Sequence, residues 1–176
     1  MKKKIAIVST LVLAVSLSLF IYNEIIAKSF RYQTPEESFE KSSSHKSELV
    51  EILEENDIAL VIYKNEKGVY SDHVIVKDNR GWSPLTVNYR NKKVVSRKEG
   101  FFYVKEIENK YVVEIVTIRE SAEDIPSIGD NLYSEFVIRS YETNTGRRLV
   151  YGFLVTSDKI SEGYSILLDG QEIPIL

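Results

Sequence analysis

The sequence predicts a mainly β protein of the α+β type. It reads as an N-terminal transmembrane helix, a short second helix, and then an antiparallel β meander or sandwich. Three observations carry this expectation. Aromatic residues make up 11% of the chain and include eleven tyrosines, a bias that suits strands better than helices. From Ile58 onward, apolar and polar residues alternate in short runs separated by turn sequences rich in Asn, Asp and Gly, the period-2 pattern of half-buried strands. The first thirty residues obey neither rule: three lysines precede the apolar run Ile5–Tyr22, which has 18 residues and neither charge nor proline.

As a helix that run would be about 27 Å long, close to the hydrocarbon thickness of a bilayer. Lys2, Lys3 and Lys4 would remain cytoplasmic and place the rest of the chain outside. Residues 1–27 therefore read as a signal anchor. The competing reading is a signal peptide cleaved after Ala27 or at Ser16-x-Ser18, but its apolar stretch would usually be shorter. A buried core helix would not need the lysines. The whole chain has a net charge of −3, and the part beyond the anchor is more acidic because it loses three lysines against one glutamate. A general nucleic-acid binder is not expected from that balance.

Beyond a linker at residues 29–33, "TPEESFE" carries a helix start. Thr34 caps, Pro35 suits the first helical position and Glu37 closes a capping box. With little to bury beyond Phe39, this helix should last about two turns and end in the polar "KSSSHKS". "ELVEILEEND" fits either period; the hairpin after it favours a strand. "IALVIYK", "VYSDHVIVK" and "WSPLTVNYR" then read as three strands joined by "NEKG" and "DNRG". "NKK" turns into "VVSRKE", and Gly100 breaks to "FFYVKEIE". "NK" turns into "YVVEIVTIRE", and "SAEDIPSIGD" is a loop. "NLYSEFVIRSYE", "TNTG" and "RRLVYGFLVTS" form the next hairpin. Asp169-Gly170 closes the last one, the strongest short hairpin signal in the chain.

An internal similarity divides this region into two related lobes, residues 28–98 and 99–176. Tyr70-Ser71-Asp72 matches Tyr133-Ser134-Glu135, Val74-Ile75 matches Val137-Ile138, and each run reaches an Asn-x-Gly turn, at Asn79–Gly81 and Asn144–Gly146. Where the first copy has His73 the second has Phe136. Residues two apart on a strand share a face, so His73 should pack beside Ser71 and Ile75. Asp72 should then point the other way, badly placed to orient that histidine for catalysis.

The residues that carry chemistry form no recognisable set. There is no cysteine, which removes disulfides, thiolate metal sites and cysteine nucleophiles. His45 and His73 lack metal-ligand spacing, and no G-x-S-x-G elbow or Gly-rich phosphate loop occurs. Glu51, Glu54, Glu55 and Asp57 form one acidic cluster, and Glu120, Glu123 and Asp124 another; both read as solvated turns. Arg90–Lys98 is basic, which suits protection of an edge strand or contact with an anionic envelope polymer. Trp82, the one tryptophan, reads as core. The sequence thus assigns no catalytic, cofactor-binding or metal-ligating residue.

"TPEESF", "NDIALVIYKNEKG", "NRGW" and "YSILLDGQEIPI", behind a lysine-led apolar run, together resemble small membrane-anchored or secreted proteins of Gram-positive spore-forming bacteria. That resemblance implies an extracytoplasmic, β-rich chain and carries no activity. The expected function is a non-catalytic, membrane-tethered interaction module at the cell envelope. Its partners would be the membrane, through Ile5–Tyr22, and an envelope protein or polymer. The alternative is a carboxylate-dependent hydrolase acting on wall or surface polymer.

Overall fold

The computed structural model describes residues 15–21, 31–42, 47–83, 89–97, 100–107, 109–121 and 124–175. A helix, α1, covers residues 15–21 and leaves its side chains exposed. The rest of the Ile5–Tyr22 run lies outside the described residues. Among the described residues no helix is long and apolar enough to cross a membrane.

The second helix, α2, is Pro35–Ser42 and starts as its sequence requires. The Glu37 amide donates to Thr34 Oγ1 at 3.2 Å, and the Glu37 carboxylate accepts the Gln33 amide at 3.1 Å. Its buried Phe39 faces the first sheet. That sheet is a meander of β1 Glu48–Glu55, β2 Ile58–Lys64, β3 Tyr70–Asp78 and β4 Gly81–Ser83. "ELVEILEE" is therefore a strand, and Asn56 and Asp57 turn it into β2 with φ of 51° and 65°, the left-handed pair of a two-residue hairpin.

The second sheet has the order β5-β6-β7-β10-β9, from Tyr89–Arg97, Gly100–Ile107, Lys110–Arg119, Arg148–Thr156 and Val137–Glu142 respectively. The third is β12 Gln171–Pro174, β11 Ser165–Leu168 and β8 Ile128–Asp130. All paired strands in the three sheets are antiparallel.

The layers stack in the order α2, four-stranded sheet, five-stranded sheet, three-stranded sheet. Phe39, Ala59, Val61, Ile75 and Trp82 pack under α2. Leu60, Ile62, Val74, Leu149, Tyr151 and Phe153 fill the space between the first two sheets. Phe102, Val113, Ile115, Leu154, Ile166 and Ile173 fill the space between the second and third. The middle sheet is covered on both faces, so β7 and β10 read as nearly continuous apolar runs, as doubly buried strands do.

Several sequence expectations need correction. "NKK" is not a turn: Asn91 to Lys93 is a register shift inside β5, one extra residue absorbed as a bulge. "WSPLTVNYR" is not one strand, because β4 ends at Ser83 and β5 belongs to another sheet; Pro84 follows directly and has no amide to donate. The loop 121–130 holds β8.

The two related lobes do not exist as repeats. β3 pairs with β2 and β4, whereas its proposed counterpart β9 pairs with β10 alone, and β10 inserts between β7 and β9. Residues 131–136 are not a strand. The Asp130 carboxylate accepts the amides of Leu132 and Ser134 at 3.0 and 2.8 Å, and such local bonds compete with a ladder. Tyr133 takes a φ of 59° and is 92% exposed, while Tyr70 is half-buried in β3. The hairpin β5–β6 spans the proposed division after residue 98.

Gly81 and Gly146 both have positive φ, 127° and 75°, but their surroundings differ. A Cβ at Gly81 would stand 2.5 Å from the Tyr32 carbonyl oxygen, while at Gly146 it would meet nothing within 4 Å. Alanine at Gly146 should cost roughly 1 kcal/mol for the backbone conformation alone. Alanine at Gly81 should cost at least about 1 kcal/mol more, because the bridge between Tyr32 and Trp82 must open. Urea unfolding of the two variants checks this, and equal losses would contradict it.

Candidate functional site

The alternation of β3 settles the neighbours Asp72 and His73. Tyr70 and Val74 contact the core between the first two sheets, and Ile75 contacts the core under α2. Asp72 therefore shares the inner face with Tyr70 and Val74, and half-buried His73 the outer face with Ile75. The aspartate does not orient the histidine. It opens instead onto a cavity of about 600 Å³ between the two sheets.

Both sheets build this cavity. Tyr63, Tyr70, Ser71 and Asp72 come from β2 and β3; Phe101, Tyr103 and Lys105 from β6; Glu114 and Val116 from β7; Leu149 and Tyr151 from β10. Glu114 occupies the middle of β7, opposite Tyr103 on one side and Phe153 on the other, and is 2% exposed. A carboxylate in that position requires a partner. Lys105, a diagonal neighbour on β6, supplies it, with Nζ 2.7 Å from Glu114 Oε1. The same ammonium stands 5.7 Å from the centre of the Tyr103 ring.

Burial pushes the Glu114 carboxyl up; Lys105 opposes this and the charge of Asp72 adds to it. Burial likewise raises Asp72 above the usual carboxylate range, against the attraction of Lys105 and His73. The phenols of Tyr103 and Tyr151 are also raised, first by burial and then by the negative charges of Asp72 and Glu114. Among the described residues no hydrogen-bond donor reaches the Asp72 carboxylate.

Tyr70 stacks on Tyr141 with ring centres 5.1 Å apart, and Tyr141 meets Tyr151 edge-on at 6.1 Å. Tyr141 donates its hydroxyl to Glu51, whose other oxygen accepts Arg139 Nε at 2.6 Å. Burial raises the Glu51 carboxyl, but these two bonds outweigh it and leave its pKa lowered. This clamp ties β9, an edge of the middle sheet, to β1, an edge of the first. Phe101, 48% exposed, belongs to the open part of the cavity.

Apart from Asp72 and Glu51, the residues singled out by sequence lie elsewhere. Glu54 and Asp124 are exposed, Asp57 sits in the β1–β2 turn, and Glu120 pairs with Arg147 at the surface; Glu123 lies outside the described residues. So do His45 and the side chains of Arg90, Lys92, Lys93, Arg97 and Lys98, although β5 itself is an edge strand. Trp82 is core. No group of His, Asp and Glu that could hold a metal ion occurs among the described residues. The sequence reading missed Glu114 and Lys105. A lone charge in "YVVEIVTI" and another in "FFYVKEI", each in the middle of an apolar strand, were the available signal.

Such a cavity can hold a small ligand by ring contacts and by hydrogen bonds to one carboxylate. It is poorer as an acid–base pair, since Glu114 is engaged by Lys105. Comparison with family models, curated proteins and solved structures finds no match to this chain.

Proposed function

We propose that this chain is a membrane-tethered, extracytoplasmic binding module of the cell envelope, with the cavity between the first two sheets as its ligand site. The observation that carries the reading is the cavity's lining, four tyrosines and Phe101 around the Asp72 carboxylate, which no donor reaches among the described residues. Concave sites with aromatic walls and few polar groups are the usual form of a small-ligand site. The tether is supported by the lysines and the apolar run Ile5–Tyr22, and by the exposure of Val15, Leu17, Leu19, Phe20 and Ile21 on α1.

A carboxylate-dependent hydrolase has one observation in its favour: Asp72 and Glu114 face the same cavity and both carboxyls are raised, as a general acid requires. The ion pair of Glu114 with Lys105 weighs against it, because two-carboxylate hydrolysis needs both groups free to exchange protons or attack.

Two measurements test the proposal. Protease added to intact cells should digest the β-sheet region while the N-terminal segment stays in the membrane fraction. A protected region, or a chain released with Lys28 as its new N-terminus, would overturn the tether. Wall-polymer fragments incubated with the full chain should remain intact. Catalytic release of new reducing ends, lost in Asp72→Asn, would replace the binding reading with the hydrolase.

A further inference from the structure

Resting on that binding reading, we infer that the cavity recognises an organic ammonium group, with Asp72 as its counter-ion and the tyrosines as its walls. Asp72, Glu114 and Lys105 are the ionisable acids and base of the lining, so with both acids ionised one negative charge is in excess. Glu114 already has its cation at 2.7 Å. Among the described residues Asp72 has none in direct contact, and burial raises its carboxyl although it is only half-buried.

A half-buried carboxylate is satisfied best by a donor that also carries positive charge, since charge-assisted bonds are the strong ones. The walls favour the same ligand. Tyr70, Tyr103 and Tyr151 line the cavity, and cations are drawn to aromatic rings. Lysines already use two of these rings: Lys64 lies 5.0 Å from the centre of Tyr70 and Lys105 lies 5.7 Å from that of Tyr103. An anionic ligand would meet two acids, and a neutral sugar would leave the charge of Asp72 uncompensated. An ammonium bearing N–H groups would extend the Glu114–Lys105 pair into an alternating row that ends on Asp72.

The ammonium could be a free amine or a lysine side chain of a peptide, and the test separates them. Calorimetric titration of the full chain in neutral detergent micelles would use cadaverine, Nα-acetyl-lysine methylamide, tetramethylammonium, chitobiose and glutarate. Saturable binding of cadaverine or of the lysine derivative is expected. The tighter of the two would name the source. Asp72→Asn should weaken that binding at least about tenfold, the loss of one charge-assisted bond, with a melting temperature equal to or above that of the parent.

Tetramethylammonium bound as tightly as cadaverine, with no response to Asp72→Asn, would overturn the assignment of Asp72. Chitobiose or glutarate bound in preference to both amines would overturn the ammonium assignment and leave the binding module standing. No binding of any probe would also overturn the assignment. Hydrolysis of chitobiose would overturn the binding reading itself.

Discussion

Lys105→Met is expected to cost about 3 kcal/mol of stability at neutral pH, because it strands a buried charge whose partner is gone. Glu114 is 2% exposed and its ion pair is with Lys105 at 2.7 Å. The sign of the pH dependence follows from the direction of the Glu114 shift. Burial raises its folded pKa above the unfolded one, so the folded state holds the extra proton. Stability from this group is complete below the unfolded pKa and is lost as pH rises through the folded pKa. Removing Lys105, which opposes the rise, moves the folded pKa higher still. The penalty of the variant should therefore be largest at neutral pH and shrink as the solution is acidified. Urea unfolding at two pH values reads this directly. Lys105→Met combined with Glu114→Leu should recover most of the loss, since an apolar pair of similar volume often replaces a buried ion pair at little cost. A single-variant loss below about 1 kcal/mol would mean that water reaches Glu114 more freely than its burial implies.

Trp82→Ala should be about as damaging, with an expected loss of about 4 kcal/mol, the usual range for emptying an aromatic site in a core. Trp82 is 2% exposed and packs with Phe39, Ala59, Val61 and Ile75 under α2. Its backbone also exchanges two hydrogen bonds with Tyr32, at 2.8 and 2.9 Å. The cavity lies on the other face of the same sheet, so the loss should be one of stability and of α2 docking. Denaturant unfolding measures the first, and protease sensitivity of residues 31–42 the second. A stable variant with impaired ligand binding would instead place Trp82 in a binding role.

The strands and tight turns were legible because their causes are local. Asp169-Gly170 accepts positive φ, and a two-residue hairpin then sets the register of both flanking strands; the Asn56-Asp57 turn was not legible in the sequence, which leaves "ELVEILEEND" open between helix and strand. Alternation correctly separated Asp72 from His73, since the faces of one strand depend only on parity. The helix start at Thr34–Glu37 was equally local. One error came where a side chain competed for the backbone. Asp130 caps the amides of Leu132 and Ser134 and withdraws residues 131–136 from the strand that their composition suggests.

The sequence by itself determined the β class, most of the tight hairpins, the N-cap of α2 and that Asp72 and His73 lie on opposite faces. The tertiary structure alone decided that β10 enters between β7 and β9. Apolar alternation specifies which face is buried but not against which strand, and similar strands offer many pairings of nearly equal local merit. It also alone decided that Asp72 meets Lys105, Glu114 and the tyrosines of β6 and β10. Those residues are far apart along the chain, and they converge only because two sheets stack with these faces inward. Sequence spacing carries no trace of a distance measured across a sandwich. The cavity and the raised carboxyl of Asp72 arise from that stacking, which removes water from groups that on an isolated strand would be solvated.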